Sequence, residues 1–247
     1  VQTDPAFQKE NVLSGLGEPT SISALPDGRM LILQKSGEIK VFDTQNSQAG
    51  LSNYLNLQPF VQGGFETGLL DIALDPDFET NGYLYVYYSR KDSGSGRFRI
   101  SRFTDNGTTA DLSSEFVVWD KPEQIASGFH QGGGLDIGPD GKLYLTTGEE
   151  FDGNLSQDLT HSNGKVIRVN TDGSIPTDNP FSDGPGGNLD EIWAYGLRNP
   201  FRAYWDFPTN RLFITEVGGN IQAEAQEDLH LGEAGANFGW PQYEGIS

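Results

Sequence analysis

Pro139-Asp140-Gly141-Lys142-Leu143-Tyr144-Leu145 is a turn signal that runs directly into a strand. Proline presets the turn torsion, aspartate hydrogen-bonds back to the local backbone and glycine accepts left-handed torsions, while the apolar and aromatic residues that follow suit a pleated sheet. The same order recurs as Pro26-Asp27-Gly28-Arg29-Met30-Leu31-Ile32-Leu33, as Pro76-Asp77-Phe78-Glu79-Thr80-Asn81-Gly82-Tyr83-Leu84-Tyr85-Val86 and as Pro208-Thr209-Asn210-Arg211-Leu212-Phe213-Ile214. After most copies a second strand follows at hairpin distance, in Gly37-Glu38-Ile39-Lys40-Val41-Phe42, Phe98-Arg99-Ile100-Ser101-Arg102-Phe103 and Gly164-Lys165-Val166-Ile167-Arg168-Val169. Such repeats hold antiparallel sheets of several strands, and a spacing of about 50 to 70 residues suits propeller blades with long loops. The chain is therefore read as all-β, a β-propeller with four countable blades, and the tail from Asn237 to Ser247 as the approach to a fifth.

Glycine, proline and aromatic residues are spread evenly over the 247 positions, so residues 1–247 read as one domain with no internal boundary. Hydrophobic residues at 35% suffice for a core, and 32 glycines with 13 prolines call for many short connections rather than long helices. The absence of cysteine removes disulfides, zinc–thiolate sites and thiol catalysis, which leaves metal chemistry to oxygen ligands and favours a hard cation such as calcium. A formal net charge of −19 with only 16 lysines and arginines argues against nucleic acid and anionic membrane surfaces as partners. It suits a secreted or periplasmic protein working in salt or calcium. No apolar run approaches the roughly 18 residues that span a bilayer. The opening Val1-Gln2-Thr3-Asp4, without methionine, reads as a processed or cropped N-terminus.

The chemistry concentrates elsewhere. His130-Gln131-Gly132-Gly133-Gly134 places one of three histidines on a glycine-rich turn, where the missing side chains would let a flat ligand or substrate reach the imidazole; a histidine that decorates a surface hairpin is the alternative. Tyr195-Gly196-Leu197-Arg198-Asn199-Pro200 and Thr215-Glu216-Val217-Gly218-Gly219-Asn220 follow, then Asn237-Phe238-Gly239-Trp240-Pro241. His161 and His230 lack a flanking glycine pair and read as surface residues, while Trp205 and Trp240 read as packing anchors. No Gly-x-Ser-x-Gly elbow, phosphate-binding loop or dinucleotide fingerprint is present, and nothing among 35 acids selects a glycosidase pair.

Together with Gly164-Lys165-Val166-Ile167-Arg168 and Pro176-Thr177-Asp178-Asn179-Pro180-Phe181, the order and spacing of these motifs resembles the glucose/sorbosone dehydrogenase family, from about residue 12 onward. That family holds soluble aldose dehydrogenases that use pyrroloquinoline quinone and calcium, and also the propellers of hedgehog-interacting proteins. The resemblance implies a six-bladed ring and oxidation of an aldose at C1 to its lactone. It implies that His130 is the general base, a task for which an imidazole of pKa near 6.5 is matched. Arg198 would serve catalysis by stabilising the charge that develops on the quinone. Arg198 and Asn199, with Gln131 and Glu66, would face the cofactor, and Gly132 and Gly133 would leave room for sugar and cofactor to stack. The carbonyls of Gly218 and Gly219 would hold calcium through unusual backbone torsions. Glu227 would supply a carboxylate and Phe238 a carbonyl to a structural calcium, with Glu224 or Asp228 as alternatives for the carboxylate.

Two features depart from the dehydrogenase pattern. Phe201-Arg202 stands where those enzymes commonly carry a glutamine, and matches the hedgehog-interacting branch better. The family's remaining basic cofactor contacts fall on blades beyond Ser247, so the rest of the ring is expected from a further segment or a partner. Two functions stay open: a quinone-dependent aldose dehydrogenase acting on a small sugar, and a non-catalytic calcium-stabilised propeller that binds a protein or glycan.

Overall fold

A computed structural model describes residues 7, 10–46, 48, 50–221 and 225–245. Among these residues fifteen strands form four antiparallel meanders. The first sheet holds β1 (Pro19–Ala24), β2 (Arg29–Gln34), β3 (Glu38–Asp43) and β4 (Leu51–Asn56), and the second β5 (Leu69–Leu74), β6 (Tyr83–Arg90), β7 (Arg97–Asp105) and β8 (Ala110–Asp120). The third holds β9 (Gly132–Ile137), β10 (Leu143–Thr147), β11 (Lys165–Val169) and β12 (Ile192–Tyr195), and the fourth β13 (Pro200–Asp206), β14 (Arg211–Glu216) and β15 (Asp228–Gly232). The first strands pack in succession, β1 on β5, β5 on β9 and β9 on β13, which is the blade order of a propeller. Among the described residues the one α-helix is the four-residue α1 (Phe78–Asn81), inside a turn signature.

Each turn signature joins the first and second strands of a blade, so all four lie on one rim of the ring. The opposite rim collects the residues that enter each first strand and leave each second strand. His130, Arg198 and Glu66 all enter first strands, which is how three distant motifs come to share one face.

The strands are buried on both faces, which explains why Tyr83-Leu84-Tyr85-Val86-Tyr87-Tyr88 is apolar throughout rather than alternating. Leu84, Val86 and Tyr88 pack toward Leu31, Leu33, Ile39 and Val41 of the first blade. Tyr85 and Tyr87 point the other way, into a cluster with Phe98, Leu143, Leu145 and Ile167. Tyr144 and Trp193 meet Trp205, Leu212 and Ile214 between blades three and four, so Trp205 is a packing anchor as expected. Buried carboxylates tie neighbouring blades together. Asp71 accepts from Ser21 Oγ at 2.7 Å on one side and from the Leu135 amide at 3.0 Å on the other. Burial pushes its pKa up, and the Arg202 guanidinium opposes that shift. Asp136, a strand residue, takes the Trp205 amide at 2.7 Å in the same way.

Two expectations change. A Cβ on Gly132 would strike the β10 backbone at Thr146 and Thr147, one on Gly133 would meet the Phe201 carbonyl and the Arg202 side chain at 3.2 Å, and one on Gly134 would strike β13 at Arg202 and Ala203. These glycines allow close approach of strand to strand, with protein rather than ligand over them. The tail after β15 forms turns, with Asn237 bridged in parallel to Tyr195 of blade three, and no strand of a fifth sheet forms among the described residues. On the side of the fourth sheet turned away from blade three, Tyr204, Leu229 and Leu231 are solvent-exposed.

Candidate active site

His130 sits at φ 53°, in the left-handed region that few non-glycine residues adopt, immediately before β9. Its carbonyl packs against Gly148, where a Cβ would have no room. That contact aligns the entry to β9 with the exit from β10, and so brings Glu149 to the imidazole. The Glu149 carboxylate is bonded to His130 Nδ1, and both side chains are buried. On the other side of the ring, Arg198 Nη2 lies 3.0 Å from His130 Nε2. A guanidinium only donates, and the carboxylate side chain that faces Nδ1 accepts. The network thus assigns the proton to Nδ1 and a lone pair to Nε2. This is the tautomer a general base requires, with a carboxylate in place to stabilise the cation that forms.

Arg198 also donates to the Val217 carbonyl at 3.1 Å and to Asn220 Oδ1 at 2.6 Å, and its guanidinium lies 5.4 Å from the centre of the Trp240 ring. Among the described residues no carboxylate pairs with this side chain, although it is only 3% exposed. The surrounding cleft, about 240 Å³, is lined by His130, Glu149, Phe151, Arg198, Asn220 and Trp240. Trp240 is thus a wall of the site rather than an anchor within a sheet. Gln157 Nε2 holds its carbonyl at 2.7 Å.

Glu149 and Glu150 were not legible as site residues from composition, being two acids among 35. Their signal is positional: they follow the strand that pairs with the one His130 enters. Glu150 forms a buried ion pair with Lys121 and accepts the Ser127 amide at 3.2 Å, which fixes the loop beneath His130.

Asn199 accepts the Gly132 amide at 2.9 Å and donates to Glu66 at 3.3 Å, while Glu66 also accepts the Gln131 amide at 3.2 Å. These residues bridge blades two, three and four beside the site. Gln131 is turned away from the cleft: its amide donates to the Ser127 and Phe129 carbonyls, both at 2.7 Å, so its side chain shapes the loop. Arg202 reaches across to the Thr20 carbonyl of the first blade.

The Gly218-Gly219 segment has its amides held by carboxylates, Gly218 by Glu227 at 3.3 Å and Gly219 by Glu244. Neither glycine has a positive φ. Their lack of a side chain makes room for Gln226 and for the Glu244 carboxylate, which corrects the expectation of unusual torsions. Glu227 is exposed and Glu224 lies outside the described residues. Asp228 faces inward instead, with Glu216 and His230, and the three offer ligand atoms within 4.8 Å of one another. They border a cavity of about 20 Å³, together with Phe238 and Glu244. His230 is no surface residue: it bonds Glu216 at 2.7 Å and lies 4.6 Å from the Phe238 ring. His161 lies at the surface as expected, its side chain 40% exposed and paired with Asp158 at 3.2 Å.

The glucose/sorbosone dehydrogenase family model matches residues 16–246, and the chain belongs to that family. It is 30% identical to an aldose sugar dehydrogenase, YliI, of Escherichia coli K12 over 96% of this chain and 62% of that protein, so it spans less than two thirds of that relative's length. The PQQ-bound form of an aldose sugar dehydrogenase from Streptomyces coelicolor superposes with a TM-score of 0.81 at 31% identity, covering 96% of this chain and 66% of that one. The hedgehog-interacting protein of Mus musculus is 31% identical over 80% of this chain and 31% of its own length.

Proposed function

We propose that this chain carries the proton-accepting side of a calcium- and pyrroloquinoline-quinone-dependent aldose dehydrogenase, which oxidises a sugar at C1 to its lactone. The observation that carries the reading is the buried Arg198 guanidinium, unpaired by any described carboxylate, beside an imidazole whose Nε2 lone pair faces it. Such a donor set fits an anionic group, because an unpaired buried cation is costly until an anion meets it. Pyrroloquinoline quinone, when bound, would supply the two-electron acceptor. His130 Nε2 takes the C1 hydroxyl proton and Glu149 stabilises the imidazolium. Arg198 would offer the donor that now faces Nε2 to a cofactor oxygen gaining negative charge. Phe151 and Trp240 line the cleft.

Calcium fits the cavity between β14, β15 and the tail: its volume matches one small ion, and Glu216, Asp228 and Glu244 surround it with oxygen. Asp228 thus takes the part foreseen for Glu227, next to the Gly218-Gly219 segment and Phe238. A neutral sugar is the partner this chemistry selects, and a secreted or periplasmic setting fits the acidic, cysteine-free composition. No helix among the described residues is long and apolar enough to cross a membrane.

A second reading, a non-catalytic propeller that binds a protein or glycan, draws on Phe201-Arg202, whose guanidinium is spent on the Thr20 carbonyl. Titrating the full-length protein with quinone in calcium, read by quenching of tryptophan fluorescence, separates the two. The dehydrogenase reading expects saturable binding that weakens at least tenfold in Arg198→Ala, since one charge-assisted contact is worth about 1.5–3 kcal/mol. Absence of binding in the wild type would replace it with the second reading.

A further inference from the structure

Three phenylalanines on different loops form one exposed aromatic strip that ends on the His130 imidazole. Phe65 precedes β5, Phe129 precedes β9 and Phe151 follows β10, and they are 70%, 40% and 54% exposed. Ring centres step from Phe65 to Phe129 by 4.6 Å and from Phe129 to Phe151 by 5.4 Å, and Phe151 stacks on His130 at 4.2 Å with 30° between planes. Phe151 holds φ 68° and its neighbour Glu150 φ 58°. A bulky side chain in the left-handed region is strained, and the cost is borne here to lay an exposed ring against the imidazole. The glycines beside the strip, Gly63 and Gly128, face open space, so nothing overhangs the rings from these positions.

We infer that this strip is a binding platform for a neutral oligosaccharide with a free reducing end, a specificity determinant that rests on the dehydrogenase reading above. The reducing unit would present C1 to His130 while the next units, extending from its far side, lie over Phe151, Phe129 and Phe65. Contiguous exposed apolar surface marks an interaction site. Its composition selects the occupant. The strip is aromatic throughout, which suits the alternating C–H faces and hydroxyl edges of pyranose rings, since aromatic side chains pair a flat apolar face with polar surroundings. The net charge of −19 repels anionic surfaces and nucleic acid. Blades two and three are each flanked by a neighbouring blade on both sides, so the sheet faces left uncovered are those of the first and fourth sheets. Phe151 also lines the His130 cleft, which makes platform and cleft continuous.

Calorimetric titration of the full-length protein with glucose, maltotriose and cellotriose, without any electron acceptor, reads the platform independently of turnover. At least one trisaccharide should bind about tenfold or more tightly than glucose, each stacked ring being worth about 2- to 10-fold. Phe129→Ala or Phe65→Ala should bring that ratio near one, and Phe129→Trp should retain it. Both positions are solvent-exposed, so these variants should unfold at the wild-type temperature. A wild-type ratio of one, a ratio that survives both alanine variants, or no binding of any of the three sugars would overturn the platform. So would a self-association in sedimentation that Phe65→Ala abolishes, which would assign the strip to a second copy. Failure of the dehydrogenase reading looks different: no sugar-dependent dye reduction by the quinone-loaded protein, with the binding ratio still present.

Discussion

Replacing Glu149 by glutamine isolates the charge behind His130. The amide keeps the size of the carboxylate, and its oxygen still accepts the Nδ1 proton, so the tautomer set by Arg198 at Nε2 survives. What disappears is the negative charge that, in the proposed reaction, would stabilise the imidazolium formed when a sugar proton arrives. At an effective dielectric near 20, a unit charge pair about 4 Å apart is worth about 4 kcal/mol, and part of that is recovered by the neutral hydrogen bond. A net loss of about 3–4 kcal/mol in the transition state corresponds to a 10²- to 10³-fold fall in kcat, with KM little changed. The assay is dye reduction by quinone-loaded full-length protein at varied aldose concentration. Thermal unfolding serves as the control, because Glu149→Ala would in addition strand a buried Nδ1–H at a cost of about 1–3 kcal/mol. A Glu149→Gln variant that keeps more than a third of wild-type kcat would refute the reasoning. So would ¹⁵N shifts that place the His130 proton on Nε2.

Three further outcomes follow from the geometry. Gly134→Ala introduces no unfavourable torsion but drives a Cβ into β13, so urea unfolding should show a loss of about 1–3 kcal/mol, and a loss below about 0.5 kcal/mol would contradict the close-approach account. Lys165 is buried, holds the Leu155, Ser156 and Asn163 carbonyls, and has its pKa pushed by burial from 10.5 down to about 7. Between those values the unfolded chain binds a proton that the folded chain does not, so wild-type stability measured against Lys165→Met should rise as pH goes from 7 to 10.5; a difference independent of pH would contradict it. Chelation should lower the melting temperature by about 5–10 °C relative to calcium at a hundredfold excess over its Kd, and equal midpoints would remove the ion from the cavity.

Much of the fold was legible because its signals are local. Pro139-Asp140-Gly141 and its counterparts sit at the first hairpin of each blade, and the apolar strands after them are where the pattern puts them. Arg198 and His130 were legible as well, from the glycine turn and the Gly-Leu-Arg-Asn-Pro run. Roles that depend on distance were not. Gly132 and Gly133 signal open space in sequence, yet protein lies over both, the β10 backbone against Gly132 and the Phe201 carbonyl with the Arg202 side chain against Gly133. Glu149 carries no local mark, although the hairpin of β9 and β10 was enough to place it beside His130. Glu227 and Asp228 are adjacent acids, and only the pairing of β14 with β15, Glu216 opposite Asp228, turns one inward. The same pairing carries His230 to Glu216, and Trp240 owes its position to the way the tail folds back, which no turn signature announces.

In the proposed reaction, His130 removes a proton from a sugar in a quinone- and calcium-dependent oxidation. Full-length protein loaded with both, assayed by dye reduction over mono- and disaccharides beside His130→Ala, tests it most directly. Sugar-dependent turnover in the wild type should fall about 10²- to 10⁴-fold in the variant. A wild type that neither binds quinone nor oxidises any sugar, or a His130→Ala variant that turns over at the wild-type rate, would contradict it.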